Sequence, residues 1–200
     1  MTSRRDFLVE ASRLAAALGV SPFLLRALEQ LPLPPGPLLQ RAIPKSGERI
    51  PVIGLGSSAT FAEVARREDV TALRAVLQTL VEGGGRVFDT APGYGASEEV
   101  AGGLVNELGV ADRMFWATKV NVAGRRGGTA DPAAARAQIE QSLARLRRPS
   151  IDLIQVHNMG DPATQLPIVR EFQRAGKVRY VGISTTFPNQ YAQLIEVLRN

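Results

Sequence analysis

Five short apolar runs, ending at Ser57, Asp89, Lys119, His157 and Ser184, recur along the chain, each followed by a segment with apolar residues at helical spacing. The repeat length is about 30 residues, the size of one strand–helix–strand unit. Such an alternation restricts the chain to an α/β fold with parallel strands, since parallel neighbours can be joined only through a crossover. Three of the runs deliver reactive side chains at their ends. Val87 and Phe88 lead into Asp89, and a Pro92-Gly93 turn then carries Tyr94 to the mouth of the same strand. The run 114–118 leads into Lys119, and 151–156 leads into His157. An acid, a phenol, an amine and an imidazole at the carboxyl ends of successive parallel strands is the layout of a (β/α)8 barrel, which builds its active site at that face.

The remaining segments fit the same plan. Residues 42–50, centred on Ser46-Gly47, read as a small hairpin, and 51–57 as the first barrel strand. Residues 62–82 read as one helix with Val70, Leu73, Leu77 and Leu80 on its apolar stripe, closed by Gly83-Gly84-Gly85. A second helix starts at Ser97, with Glu98 and Glu99 where the helix dipole favours negative charge, and stops near Gly109. Asp131-Pro132 and Asp161-Pro162 supply N-caps and first-turn prolines for the next two helices, the former with Ile139, Leu143 and Leu146 facing inward. Between them, 124–128 is a basic, glycine-rich loop on the catalytic face. Residues 178–184 read as a buried parallel strand, and Pro188 opens a last helix over 190–198. Five strand–helix units result, where a closed barrel has eight. The expected architecture is therefore a partial barrel over residues 41–200, with the last three units missing.

The stretch Asp89 to Gly95 followed by Ser97-Glu98, the Ala117-Thr118-Lys119 strand end, and Ser142-Leu143 to Leu146 leading into Asp152-Leu153-Ile154-Gln155-Val156-His157 carry a family likeness. Together with Gly176-Lys177-Val178-Arg179-Tyr180-Val181-Gly182-Ile183-Ser184, they resemble the aldo-keto reductases. The likeness runs from about residue 50 to the end of the chain, with the motifs in the family's order. It implies interconversion of aldehydes or ketones and alcohols with NADP(H). In that scheme Tyr94 is the general acid, Lys119 and Asp89 tune it, and His157 orients the carbonyl substrate. The resemblance also implies cofactor contacts from Gly56 and Ser57, from Asp89, and from Ser184 near the nicotinamide carboxamide. Thr185 is included, although the family usually has asparagine there; threonine keeps a hydroxyl but loses the amide's paired donor and acceptor. The hairpin is implied to close the bottom of the barrel. Most basic contacts to the adenosine phosphate would lie in the missing units.

These residue types suit that chemistry. No side chain supplies hydride, so carbonyl reduction requires a cofactor. A phenol can give a proton to a developing alkoxide and recover it afterwards, but its ordinary pKa of about 10 is high for two-way transfer near neutrality. An ammonium about 4 Å away would stabilise the phenolate by roughly 4 kcal/mol at an effective dielectric of about 20. An imidazole can hydrogen-bond the carbonyl oxygen. Two other readings stand beside the enzyme: a reductase-like regulatory protein that holds nucleotide without useful turnover, and an inactive fragment.

Composition narrows the alternatives. The chain has no cysteine and a single histidine, which removes disulfides, thiol chemistry and any His-rich metal centre. Its net charge is +5, but the bases are scattered apart from Arg125-Arg126 and Arg145 to Arg148. The second cluster reads as a solvated helix face, so a small molecule and not a nucleic acid is the expected partner. Residues 1–40 differ from the rest. Ser3-Arg4-Arg5-Asp6-Phe7-Leu8 reads as a twin-arginine export signal, followed by a moderately apolar stretch, 14–31, and a Pro-rich linker, 32–37. Glu10, Arg13, Arg26 and Glu29 interrupt the apolar stretch, and no stable membrane span is expected. Twin-arginine machinery exports folded proteins, which suits an enzyme that loads its cofactor before reaching the periplasm. The alternative is an amphipathic helix packed on the barrel or a partner, in a cytoplasmic protein.

Overall fold

The computed structural model describes residues 38–67, 69–124 and 128–199. The segments expected to be an export signal, an apolar stretch and a Pro-rich linker lie outside the described residues, as does the centre of the 124–128 loop. A hairpin comes first. Strand β1 (Gln40–Ala42) pairs antiparallel with β2 (Arg49–Pro51), and Gly47, at φ 72°, closes the turn by donating to the Ile43 carbonyl.

Five parallel strands follow, ordered in space as in sequence: β3 (Leu55–Gly56), β4 (Val87–Asp89), β5 (Phe115–Val120), β6 (Ile151–Val156) and β7 (Val178–Ile183). Between and after them come α1 (Thr60–Val64), α2 (Thr71–Glu82), α3 (Ser97–Glu107), α4 (Pro132–Arg145), α5 (Pro162–Arg174) and α6 (Tyr191–Arg199). Sequential parallel order with a helix after each strand is the pattern of consecutive barrel units. None of the described helices is long and apolar enough to cross a membrane.

The helices form where local chemistry starts and stops them. Asp131 accepts the Ala133 N–H at 3.0 Å and Pro132 opens α4; Asp161 and Pro162 do the same for α5. The single helix expected over 62–82 is in fact two. Ala65 ends α1 by donating to Phe61 O at 2.8 Å, and after the charged Arg66-Arg67 the Asp69 carboxylate accepts the Thr71 N–H at 2.9 Å to begin α2. Two local caps therefore override a continuous apolar period. Leu73, Leu77 and Val81 then turn inward at intervals of four.

The core lies between the sheet and these helices. Phe61, Phe88 and Trp116 run across it in edge-to-face contacts of 5.2 and 5.4 Å, joined by Leu77, Ile139, Leu146, Ile154 and Val169. Gly102 lets α3 meet the end of α4 backbone to backbone, since an added Cβ would lie 2.6 Å from Arg145 O. The last strand is not buried as expected. β7 pairs only with β6, and of its residues only Val178 is buried.

At the amino ends of the strands the hairpin is tied to the sheet through Glu48. Its carboxylate accepts the Tyr180 hydroxyl at 2.7 Å and pairs with Arg179 and, at 3.6 Å, with Arg86. Arg179 also pairs with Asp152, whose second oxygen accepts the Trp116 N–H at 2.7 Å. Burial pushes the Glu48 carboxyl up, but the Tyr180 hydroxyl and the Arg179 and Arg86 guanidinium groups outweigh it and hold it below the usual carboxylate range. A depressed carboxyl stabilises the fold above its unfolded pKa, and that contribution is lost as pH falls through the folded value. Glu48→Gln should therefore cost on the order of 1 kcal/mol near neutrality, a modest figure because Arg179 is nearly half exposed. Urea unfolding of the two proteins should converge in acid, below the folded pKa; a difference that persists there would mean the loss is one of packing.

Candidate active site

The carboxyl ends of β4, β5 and β6 open onto one cleft of about 400 Å³, with Tyr94, Lys119, Asn121, Gln138, His157 and Asn158 in its walls. Register brings them there. Asp89 lies opposite Ala117, and Lys119, two residues on, lies opposite Gln155.

Lys119 is the most constrained of the group. Every residue of β5 is buried, and the lysine side chain is only 7% exposed. An ammonium removed from water needs strong acceptors, and Nζ finds two: it donates to Asp89 Oδ1 at 2.6 Å and to Thr90 O at 2.8 Å. Asp89 is 44% exposed, so it keeps contact with water while holding the lysine. Tyr94 is placed by a tight turn in which its N–H donates to Ala91 O at 3.0 Å and Ser97 N–H donates to its carbonyl at 3.2 Å. Lys119 Nζ stands 5.1 Å from the centre of the Tyr94 ring. The His157 ring meets the same phenol edge-on, with centres 5.9 Å apart and planes at 86°.

His157 begins a turn of unusual backbone. Asn158 (φ 54°), Met159 (φ 55°) and Asp161 (φ 44°) all adopt the left-handed region without being glycine. Each such residue costs roughly 1 kcal/mol or more, so neighbours must hold the turn. Met159 N–H donates to Ser184 O at 3.0 Å on the next strand end. The buried Gln165 side chain bridges Gly160 O and the Val122 N–H. The Ala130 and Thr164 N–H groups reach Asp161 at 2.9 and 3.3 Å and hold its carboxyl below the usual range.

The four residues expected to act together, Asp89, Tyr94, Lys119 and His157, thus meet at one end of the sheet. The expected cofactor residues are less uniform. Gly56 has open space where a side chain would stand. Ser57 is buried, and its N–H and hydroxyl both donate to Asp89 O, at 3.0 and 3.1 Å, so it braces β4. Ser184 carries a buried hydroxyl with no hydrogen-bond partner, beside the His157 turn. The Thr185 hydroxyl is taken up within its own loop by Gln190 and the Phe187 N–H. Among the described residues no cluster of three or more His, Cys, Asp or Glu could hold a metal ion.

Sequence reasoning missed Asn121, Gln138 and the Thr90 carbonyl. Gln138 Oε1 accepts the Asn121 N–H at 2.8 Å, and Asn121 Nδ2 donates to His157 O at 2.9 Å. No motif marks them, because each contact joins elements brought together only by strand register. Chemically, the cleft offers a phenolic proton donor beside a fixed cation and an imidazole.

Comparison with known proteins gives the site its context. Residues 52–199 match the Aldo/keto reductase family. The aldo-keto reductase YhdN of Bacillus subtilis (strain 168) is 32% identical over 141 residues, which cover 66% of this chain and 42% of that protein. Human aflatoxin B1 aldehyde reductase member 2 is 33% identical over 69% of this chain and 40% of its own length. Among solved structures, a holo-form aldo-keto reductase of Bacillus halodurans superposes with a TM-score of 0.63 at 26% identity, covering 80% of this chain and 54% of that one. An aldo/keto reductase of Klebsiella pneumoniae, in complex with NADP and acetate, gives 0.57 at 28% identity over 74% and 50%. The chain spans about half the length of the relatives it matches.

The Lys119 environment separates a working cation from a structural one. Removing half of a buried structural ion pair usually costs about 3–5 kcal/mol, because the partner is left charged and dry. Here Asp89 is exposed enough to be rehydrated. Lys119→Met should therefore cost less than that range, about 1–2 kcal/mol, chiefly because the buried Thr90 carbonyl loses its donor while the apolar side chain fills the same space. Denaturant midpoints of the two proteins decide this; a loss near the upper range would make the pair structural.

Proposed function

The chain belongs to the aldo/keto reductase family, and from that premise we propose that it interconverts aldehydes or ketones and alcohols with NADP(H). One observation carries the reading: Tyr94 has the Lys119 ammonium 5.1 Å from its ring and the His157 imidazole edge-on at 5.9 Å, all in a single cleft. Relatives support it, since the Klebsiella pneumoniae enzyme is known with NADP and the human proteins are named as aldehyde reductases.

The residues present fit such a cofactor. Ser184 keeps an unused, buried hydroxyl that could serve a carboxamide, and Gly56 leaves the end of β3 open to close approach. Thr185 would first have to release Gln190. When bound, the nicotinamide supplies the hydride.

The chain's own residues handle the proton. Tyr94 gives its hydroxyl proton to the carbonyl oxygen as that oxygen becomes an alkoxide, and takes one from the alcohol in the reverse direction. Negative charge left on the phenol oxygen is stabilised by Lys119, which Asp89 and Thr90 O hold in place. His157 donates to the carbonyl oxygen and holds that oxygen facing Tyr94.

Tyr94→Phe should abolish turnover, by at least about a hundredfold, and leave NADPH affinity nearly unchanged. Fluorescence titration with NADPH and a carbonyl panel read both quantities; undiminished reduction by the variant ends the assignment. Tight nucleotide binding by the unaltered chain with no reduction of any carbonyl would favour the regulatory reading.

The proposal extends to location. The Ser3 to Leu8 signal would carry the folded, loaded enzyme to the periplasm. Fractionation of the native host is the test, and recovery solely with the cytoplasm would refute export.

A further inference from the structure

We infer that Asn121 is a positioning residue for His157, linking the strand end that holds Lys119 to the turn that holds the imidazole. It lies two residues beyond Lys119, and its backbone is anchored by its N–H, which donates to Gln138 Oε1 at 2.8 Å. From that anchor the side chain crosses to the neighbouring unit, where Nδ2 donates to the main-chain carbonyl of His157 at 2.9 Å.

The fit is tight and depends on Gly160. A Cβ on Gly160 would lie 2.4 Å from Asn121 Oδ1 and 2.5 Å from Cγ, so the amide occupies the space of a missing side chain. Its other end is left unserved: Oδ1 is buried with no hydrogen-bond partner. A buried acceptor without a partner opposes stability, which makes an amide a poor choice for simple packing at this place. What it contributes is the donor. That donor acts on a turn with three left-handed non-glycine residues, whose conformation has to be imposed from outside. Other ties reach Asn158, Met159, Gly160 and Asp161, and the His157 carbonyl also accepts the Gly160 N–H at 3.1 Å from within the turn; Asn121 adds a side-chain donor to that carbonyl from the neighbouring unit. Moving the His157 carbonyl swings the ring that stands edge-on to Tyr94.

The kinetic part of this inference rests on the proposed reductase reading; the spectroscopic part does not. The chain has one histidine, so its imidazole proton resonances report His157 alone. Asn121→Ala and Asn121→Asp, the second keeping the shape without the donor, should each shift those resonances in the folded protein. With a carbonyl substrate and NADPH, both should lower kcat roughly tenfold with nucleotide affinity unchanged, as expected for a small misplacement of a reacting group. In a His157→Ala background the same substitutions should cause no further loss, because the residue acts through the ring. Unchanged imidazole resonances, wild-type behaviour of Asn121→Asp, or an equal fold-loss in both backgrounds would overturn the inference. If the unaltered chain turns over no carbonyl, the reductase reading fails and the imidazole spectrum alone decides the role of Asn121.

Discussion

An ammonium group taken out of water has to be met by oxygen, and that requirement at Lys119 sets the geometry of the site. Its two acceptors, Asp89 Oδ1 and Thr90 O, both belong to the end of β4, so the buried cation clamps β4 to β5 at the level where the strands stop. Tyr94 is only a Pro-Gly turn away from that clamp, which is why the phenol ring ends up beside Nζ. Ser57 reinforces the same point from the other side by giving two hydrogen bonds to Asp89 O. The charge beside the phenol ring is thus also the charge that anchors the strand end from which its turn departs.

His157 is held by different means. β6 pairs with β5 along four consecutive residues, yet the strand ends one residue before the histidine, and the turn beyond it adopts conformations that L-residues avoid. Contacts reach that turn from several directions: Ser184 just beyond β7, Gln165 on α5, Ala130 ahead of α4, and Asn121 after β5. A turn held from outside can aim a ring that a relaxed turn would let swing.

The opposite end of the sheet carries an ion network. Glu48 draws the hairpin onto Arg86, Arg179 and Tyr180, and Asp152 extends the network to the backbone of β5. Stability devices gather at the amino ends of the strands and reactive groups at the carboxyl ends, the division that parallel strands with helical crossovers favour. Of the cofactor-side residues, Ser184 keeps a free hydroxyl while Thr185 is spent on its loop, so the two neighbours differ in what they can offer a nucleotide.

Much of this was legible in the amino-acid sequence. The strand–helix repeat, the Asp-Pro starts of α4 and α5, the placement of Asp89, Lys119 and His157 at or beside the ends of β4, β5 and β6, and the hairpin at Gly47 all follow from interactions within a few residues. Periodicity, capping and turn chemistry are local, and local physics can be read along a chain. The same reasoning failed where two local signals competed, as at Asp69, which splits one expected helix into α1 and α2. It failed again for β7, whose exposure depends on what pairs with it and not on its own residues. Tertiary structure alone decided that Asn121 reaches His157, that Gly160 makes room for it, and that Ser184 is left without a partner while Thr185 is not. Those outcomes are set by strand register and by distances between residues far apart in the chain, and neither leaves a mark on the spacing of the residues themselves.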